Sequence, residues 1–344
     1  MIQKQRINLI VPMAGKGTRM LPHTLTTPKT FIPMVGKPII QRILENIAIL
    51  CTEGTIANIG FVVNDLPAHT CDTLQAIAEA LGAKAHFYQQ DQALGTAAAI
   101  QCAAPLLEGP AIVAFSDTLF QEHTPLDLQQ EGIICVHQVA DPAQFGVVVL
   151  AQDWYVKDFV EKPTAFVSDL AIIGIYYFRE SSMLQAAIQQ LMKQPLVAGQ
   201  EYQLTRALSS MREQGIRFAI KPVQAWLDCG NKQATLAANT YFLQQQQLTD
   251  TGMVISPSAK VIDSIIIPPV YIEADAVIDC SIVGPYVSVS KGAHVLHSQI
   301  SDSIIQQHAV MDHSQVHHSI IGNYVKLYGN PAELNVGDYT TVKL

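Results

Sequence analysis

The chain has 344 residues, 49% of them hydrophobic and 15% charged, with a formal net charge of −8. That length can hold a large core and a second domain, and the hydrophobic share excludes a disordered chain. The few cations form no runs, which argues against a nucleic-acid partner, and 6 scattered cysteines without a Cys-x-x-Cys pair argue against a cysteine zinc site and a secreted disulfide framework.

The apolar run Ile7–Met13, broken by Asn8 and Pro12, reads as a buried first strand. It is far too short to span a membrane, and no small-residue cleavage site follows it, so a cytoplasmic protein with no membrane partner is expected. Ile39–Leu50 has the periodicity of a helix. Between the two lies Gly15–Pro38, GKGTRMLPHTLTTPKTFIPMVGKP, at the carboxyl end of a first parallel strand, where open α/β sheets bind their ligands. Gly15 and Gly17 let backbone amides approach a ligand oxygen, Arg19 offers a planar charged fork and Lys29 a compact charge. Together they describe a polyphosphate cradle. Pro22, Pro28, Pro33 and Pro38 exclude a continuous helix across it.

Two common phosphate loops do not fit. Met20 stands where the dinucleotide fingerprint wants its third glycine, and Gly36-Lys37 is followed by Pro38 instead of serine or threonine. The pattern Gly-x-Gly-Thr-Arg, then Pro28-Lys29 and Gly36-Lys37-Pro38, resembles the signature of the sugar-phosphate nucleotidyltransferases, the nucleoside-diphosphate-sugar pyrophosphorylases. The resemblance implies an α/β fold with a Rossmann-like, mostly parallel sheet. It also implies a magnesium (Mg2+) cofactor, catalytic roles for Arg19 and Lys29, and nucleotide contacts from Ala14, Gly15, Gly17 and Thr18.

Strands are expected at Asn58–Val63 and Ala83–Tyr88 around a helix at Cys71–Leu81, an alternation that marks βαβ units. The segment Tyr88–Ile100 then places polar amides ahead of Gly95 and an Ala-rich helix. In the resembled family this turn reads the nucleotide base, with Gln90, Gly95 and Thr96 at the matching positions. A carboxamide offers both a donor and an acceptor, which suits uracil or thymine. UTP or dTTP is therefore favoured, with GTP and mannose 1-phosphate as the alternative.

Ala111–Phe115 reads as a buried strand ending in Ser116-Asp117. A carboxylate there is costly to desolvate unless it meets a cation, and a magnesium ion carrying phosphates is the natural partner; a helix cap is the competing reading. The family usually has glycine where Ser116 stands. Further strand patterns occupy Ile133–Val139, Phe145–Leu150, Tyr155–Val160 and Ala171–Phe178, and Ser181–Lys193 reads as a helix. The resemblance assigns Lys162 to the phosphate of the sugar 1-phosphate, Glu161 and Glu201 to sugar hydroxyls, and Gly146 to close approach of the ring. Arg206 replaces the family's more frequent aspartate. Trp226-Leu227-Asp228 would supply the second metal carboxylate, so that Asp117 and Asp228 share one magnesium.

From Asp250 the pattern changes. Ser-Ile-Ile/Val units begin at Ser264, Ser281, Ser303 and Ser319, spaced by 17, 22 and 16 residues, and periods near 18 built from hexapeptides point to a parallel β-helix with three strands per coil. This resembles the left-handed β-helix appended to long members of the same family. The expected domains are 1–248, catalytic, and 249–344, β-helix. The histidines at 294, 297, 308, 313, 317 and 318 could serve acyl transfer, but assembly into a homo-oligomer or regulation is the preferred role of this domain. The whole reads as an enzyme that transfers a nucleotidyl group from a nucleoside triphosphate to a hexose 1-phosphate, glucose 1-phosphate foremost, releasing pyrophosphate. A non-catalytic regulatory homologue is the alternative.

Overall fold

The computed structural model describes residues 4–15, 17–196, 200–247, 252–329 and 333–343. Lys16 of the opening loop, Gly199 and the expected domain boundary at 248/249 lie outside them, as does Asp250. The chain divides into two compact units, one of Met1–Gly15 with Ile43–Trp226, the other of Lys16–Arg42 with Leu227–Leu344.

The first unit is built on a nine-stranded sheet. Its parallel part joins Gly54–Val63 to Gln5–Pro12 and Lys84–Gln89, and Gln5–Pro12 to Ala111–Ala114. Burial on both faces explains the apolar runs: Ile7, Leu9, Ile10, Val11, Ile112 and Val113 are wholly enclosed. Asn8 breaks its run without penalty because it joins a polar chain across three strands: Asn58 Nδ2 donates to Asn8 Oδ1 at 2.9 Å, and His86 Nε2 lies 3.0 Å from Asn58 Oδ1. Leu170–Phe178 reverses direction, running antiparallel to Ala111–Ala114 and Gly132–Gln138 and touching Gly146–Leu150, which pairs antiparallel with Val156–Glu161. Helices at Ala68–Ala80, Thr96–Cys102, Ser181–Met192 and Leu204–Glu213 complete the unit. The periodic segment Ile39–Leu50 is a helix over that span.

In the second unit the prolines of the opening loop have their expected effect. The segment forms three short 3-10 turns, Thr18–Met20, His23–Leu25 and Lys29–Phe31, and a hairpin of Pro33–Met34 with Lys37–Pro38. Arg42 closes that hairpin, donating to the Met34 and Val35 carbonyls at 2.8 Å, with its guanidinium 4.3 Å from the centre of the Phe242 ring.

The rest of the unit, after the helix Lys232–Gln247, is a parallel β-helix with three stacks of short strands. One runs through Met253–Ile255, Val270–Ile272 and Val287–Val289, a second through Lys260–Ile262, Val277–Asp279 and His294–Leu296, a third through Ile265–Ile266 and Ile282–Val283. The coil is shorter than the expected 18 residues. Equivalent atoms of successive coils are 17 residues apart in the early turns, then 16 and finally 15.

The spacing of 22 also has a structural correction, because the Ser-Ile-Ile units belong to two ladders. In the first, the Ser281 amide donates to Ser264 Oγ at 2.9 Å, the Ser298 amide to Ser281 Oγ at 3.0 Å, and the Ser314 amide to Ser298 Oγ at 3.0 Å. In the second, the Ser319 amide donates to Ser303 Oγ at 3.1 Å and the Leu334 amide to Ser319 Oγ at 2.9 Å. Each hydroxyl satisfies a corner amide that the strand pairing leaves open. Pairing Ser281 with Ser303 therefore crosses from one ladder to the other.

Candidate active site

In the second unit, Gly17 adopts the left-handed conformation, φ 59°, and its carbonyl accepts from Thr24 Oγ1 at 2.9 Å. That backbone turn needs glycine: a Cβ there would stand 3.0 Å from Thr24 Cγ2 and 3.4 Å from Lys29 Cβ. The fold thus brings Gly17 beside Lys29 across the first two turns. Thr18 and Arg19 are exposed on the first turn, and Lys29, half-buried, opens the third.

The Arg19 guanidinium reaches to Gly230. A Cβ at Gly230 would lie 3.0 Å from Arg19 Nη2 and 2.9 Å from Asp228 Oδ1. Arg19 and Asp228, distant in sequence, therefore face one small hollow that only glycine leaves open.

The loop is held from below by the last coils of the β-helix, a support that no local pattern in the sequence announces. His23, 1% exposed, places Nε2 2.7 Å from Asn335 Oδ1, and Asn335 Nδ2 donates to the Leu21 carbonyl at 3.2 Å. Burial pushes the His23 imidazole below its ordinary value, outweighing the Asn335 hydrogen bond that favours the charged form. Asp338 Oδ2 accepts from Thr26 Oγ1 at 2.5 Å and Thr27 Oγ1 at 3.2 Å, while its Oδ1 accepts from the Asn323 amide at 2.7 Å.

In the first unit, Ala14 and Gly15 follow the first strand, with open space where a Cβ of Gly15 would point. Gln90, half-buried, donates its backbone N–H to the Val63 carbonyl at 2.8 Å just past the strand Lys84–Gln89. The Gly95 turn and the segment before the helix Leu204–Glu213 are laced together. Tyr202 N donates to Leu94 O at 2.8 Å, Ala97 N to Tyr202 O at 2.9 Å, and Leu204 N to Thr96 Oγ1 at 2.9 Å. Gly95 sits at φ 111°, and a Cβ there would be 2.7 Å from both the nitrogen and the oxygen of Tyr202 and 2.9 Å from Glu201 Cβ. The Gly95 turn and Glu201 are thus immediate neighbours. The Thr96 hydroxyl also has a job that the sequence does not reveal, capping the amide of Leu204.

Gly146 and Glu161 face each other across the antiparallel pair, with Glu161 Oε2 3.0 Å from the position of a Gly146 Cβ. Thr205 Oγ1 donates to the same oxygen at 3.2 Å. Thr205 thus fixes the Glu161 carboxylate, a contact that pattern reading missed. Lys162 is exposed in a strained left-handed conformation, φ 44°, with its amide donating to Phe145 O at 3.0 Å. Asp117 is half-buried beyond the strand Ala111–Ala114, after a Ser116 only 7% exposed. No helix follows for it to cap, since Thr118–Gln121 is a strand. Arg206 is exposed near the start of its helix. Trp226 packs edge-on against Phe145, ring centres 4.8 Å apart, and its buried Nε1 has no hydrogen-bond partner among the described residues.

Burial pushes the Cys51 and Cys135 thiols up to about 12, as expected of small buried hydrophobes, although Cys280 is exposed.

A sequence profile described as nucleotidyl transferase matches residues 9–245. The chain belongs to the nucleotidyl transferase family. Among its relatives within and around that family, it is 30% identical over 241 residues to the bifunctional protein GlmU of Methanococcus maripaludis, covering 70% of this chain and 55% of that protein. The chain spans little more than half the length of the first such relatives. It is 26% identical over 367 residues to the glucose-1-phosphate thymidylyltransferase of Streptomyces antibioticus, covering 97% of this chain and 99% of the relative. The nucleotidyl transferase fold is also that of a crystallised UDP-glucose pyrophosphorylase complexed with UDP-glucose, which superposes with a TM-score of 0.57 at 23% identity over 71% of this chain and 100% of the other. Among the described residues no helix is long and apolar enough to cross a membrane.

Proposed function

We propose that this family member joins a nucleoside triphosphate to a hexose 1-phosphate and releases pyrophosphate, with UTP or dTTP and glucose 1-phosphate as its preferred pair. The observation that carries the reading is the similarity that runs through 99% of a glucose-1-phosphate thymidylyltransferase and 97% of this chain, so that it takes in this chain's β-helix. The Gln90 carboxamide supports a pyrimidine base.

In the proposed reaction an oxygen of the sugar phosphate forms a bond to the α-phosphorus in line while the bond to the bridging β-phosphate oxygen breaks. The nucleophile is already anionic at neutral pH, so no side chain has to remove a proton. Arg19, Lys29 and the amides of the opening loop hold the triphosphate and take up the charge of the departing pyrophosphate. Lys162, exposed at its strained turn, holds the sugar phosphate for attack, and Glu161 and Glu201 accept from sugar hydroxyls. The residues also fit a magnesium ion: the donors are carboxylate oxygens, Asp228 Oδ1 faces the hollow over Gly230 that a Cβ would fill, and Asp117 lies in the turn after a buried strand with no helix to cap. We assign Asp117 and Asp228 as its ligands; when bound, magnesium supplies charge neutralisation to the phosphates.

The test is a matrix of four nucleoside triphosphates against glucose, mannose and N-acetylglucosamine 1-phosphates, read by pyrophosphate release with magnesium present. Release from UTP or dTTP with glucose 1-phosphate is the expected result. Homogeneous protein that binds nucleotide but releases no pyrophosphate with any pair would refute the activity and leave the regulatory homologue.

A further inference from the structure

The corners of the β-helix stack side chains at coil spacing. One corner column runs Asp263, Cys280, His297, His313 and Gly329, every member at positive φ, between 43° and 105°. Backbone bonds fix the register: the Cys280 amide donates to Ile262 O, the His297 amide to Asp279 O and the His313 amide to Leu296 O. In consequence the His297 and His313 rings lie face to face, centres 4.7 Å apart and planes 22° apart, which is the spacing of paired strands.

Both imidazoles point Nδ1 at one oxygen. His297 Nδ1 is 3.0 Å and His313 Nδ1 2.8 Å from Asp312 Oδ1. Two nitrogens and a carboxylate oxygen thus converge, and one ligand atom from each residue lies within 4.8 Å of the other two. A tetrahedral zinc ion with bonds of about 2.0–2.1 Å holds neighbouring ligand atoms roughly 3.4 Å apart. Rotation of the two exposed imidazoles about the half-buried Asp312 carboxylate, of roughly an ångström, reaches that spacing while the corner backbone stays fixed. Two imidazolium rings at this separation would repel each other, whereas one dication replaces both protons and keeps the rings neutral. The cluster opens onto a cavity of about 350 Å³ lined also by Cys280, Ser298 and Gln299.

We propose that His297, His313 and Asp312 form a binding site for a divalent transition-metal ion, zinc in the first instance, that staples successive coils and keeps a coordination position open to this cavity. Imidazole donors select such an ion over magnesium, which prefers oxygen. Its two imidazole donors distinguish it from the carboxylate pair assigned above to magnesium, and the cysteine spacing of the sequence gives no hint of it.

The experiment uses the full chain, stripped of metal with EDTA, dialysed against excess magnesium and titrated with zinc. Equilibrium dialysis should give one zinc per chain, and cobalt in its place should give the visible absorption of a nitrogen- and oxygen-ligated ion. The His297→Ala/His313→Ala variant should lose this binding, Asp312→Asn should weaken it by about tenfold or more, and Cys280→Ser should leave it unchanged. Zinc should also raise the melting temperature of the unaltered chain and not that of the double variant; far-UV circular dichroism checks that the exposed substitutions leave the fold intact. The proposal is overturned if the unaltered chain retains no zinc over magnesium, if the double variant binds as well, or if Cys280→Ser abolishes binding.

Discussion

Asp338→Ala tests whether the β-helix holds the signature loop in place. The carboxylate accepts two loop hydroxyls, from Thr26 at 2.5 Å and Thr27 at 3.2 Å, the first exposed and the second part-buried. At about 0.5–1.5 kcal/mol each, the pair contributes about 2 kcal/mol to loop anchoring, and at 1.4 kcal/mol per decade that is roughly thirtyfold in the closed-to-open ratio. Asp338 also fixes Asn323 within the last coils, so Thr26→Val/Thr27→Val is the cleaner variant, removing the loop bonds alone. Hydrogen exchange of the amides from 17 to 32 should accelerate by about that factor in both variants, while sheet amides of the first unit stay unchanged. The KM for the nucleoside triphosphate should rise by less than that factor, with a smaller change still in kcat, because apparent affinity falls only with the fraction of loop that remains closed. Unaltered exchange and KM in the double threonine variant would refute the anchoring argument.

Three further outcomes are expected. Asp228→Asn and Lys162→Ala should each lower pyrophosphate release by about a hundredfold or more with unchanged far-UV circular dichroism, as expected when a phosphate-stabilising group is lost; near-normal release would refute their roles. Gly95→Ala should destabilise by at least about 2 kcal/mol in urea unfolding, since φ is 111° and the new Cβ meets the Tyr202 backbone at 2.7 Å; Gly82→Ala, at φ 74° with open space around it, should cost about 1–2 kcal/mol. Burial holds His23 below its ordinary value, so between that lowered value and about pH 6.5 the unfolded chain binds more protons. Its contribution is complete above that window and is lost as pH falls through it; His23→Gln should flatten the urea midpoint between pH 7 and 5, apart from a residual slope from His86, also held low by burial.

The elements most legible in the sequence were those with a local period. Ile39–Leu50 carries helical spacing and is a helix over that span, and the run through Ala111 carries no polar residue because both faces of its strand are covered. The coil length was harder to read. Hydrophobic hexapeptides suggest 18, but the actual turn is set by which serine hydroxyl receives the next corner amide, and the two ladders are offset from each other. The capping role of Thr96 and the contact of Thr205 escaped notice for a related reason: their hydroxyls serve a partner on another element, Leu204 N and Glu161 Oε2.

By itself the sequence determined the chemistry on offer: the cations Arg19, Lys29 and Lys162, the strand-end carboxylates Asp117 and Asp228, and the glycines that leave room for a ligand. These are properties of residue type and short spacing. Only the tertiary structure decided that Arg19 and Asp228 share the hollow at Gly230, that Glu201 abuts Gly95, that His23 rests on a residue 312 positions away, and that two histidines meet over one carboxylate. Such pairings are made by strand register and coil stacking, which act across separations where no local periodicity survives.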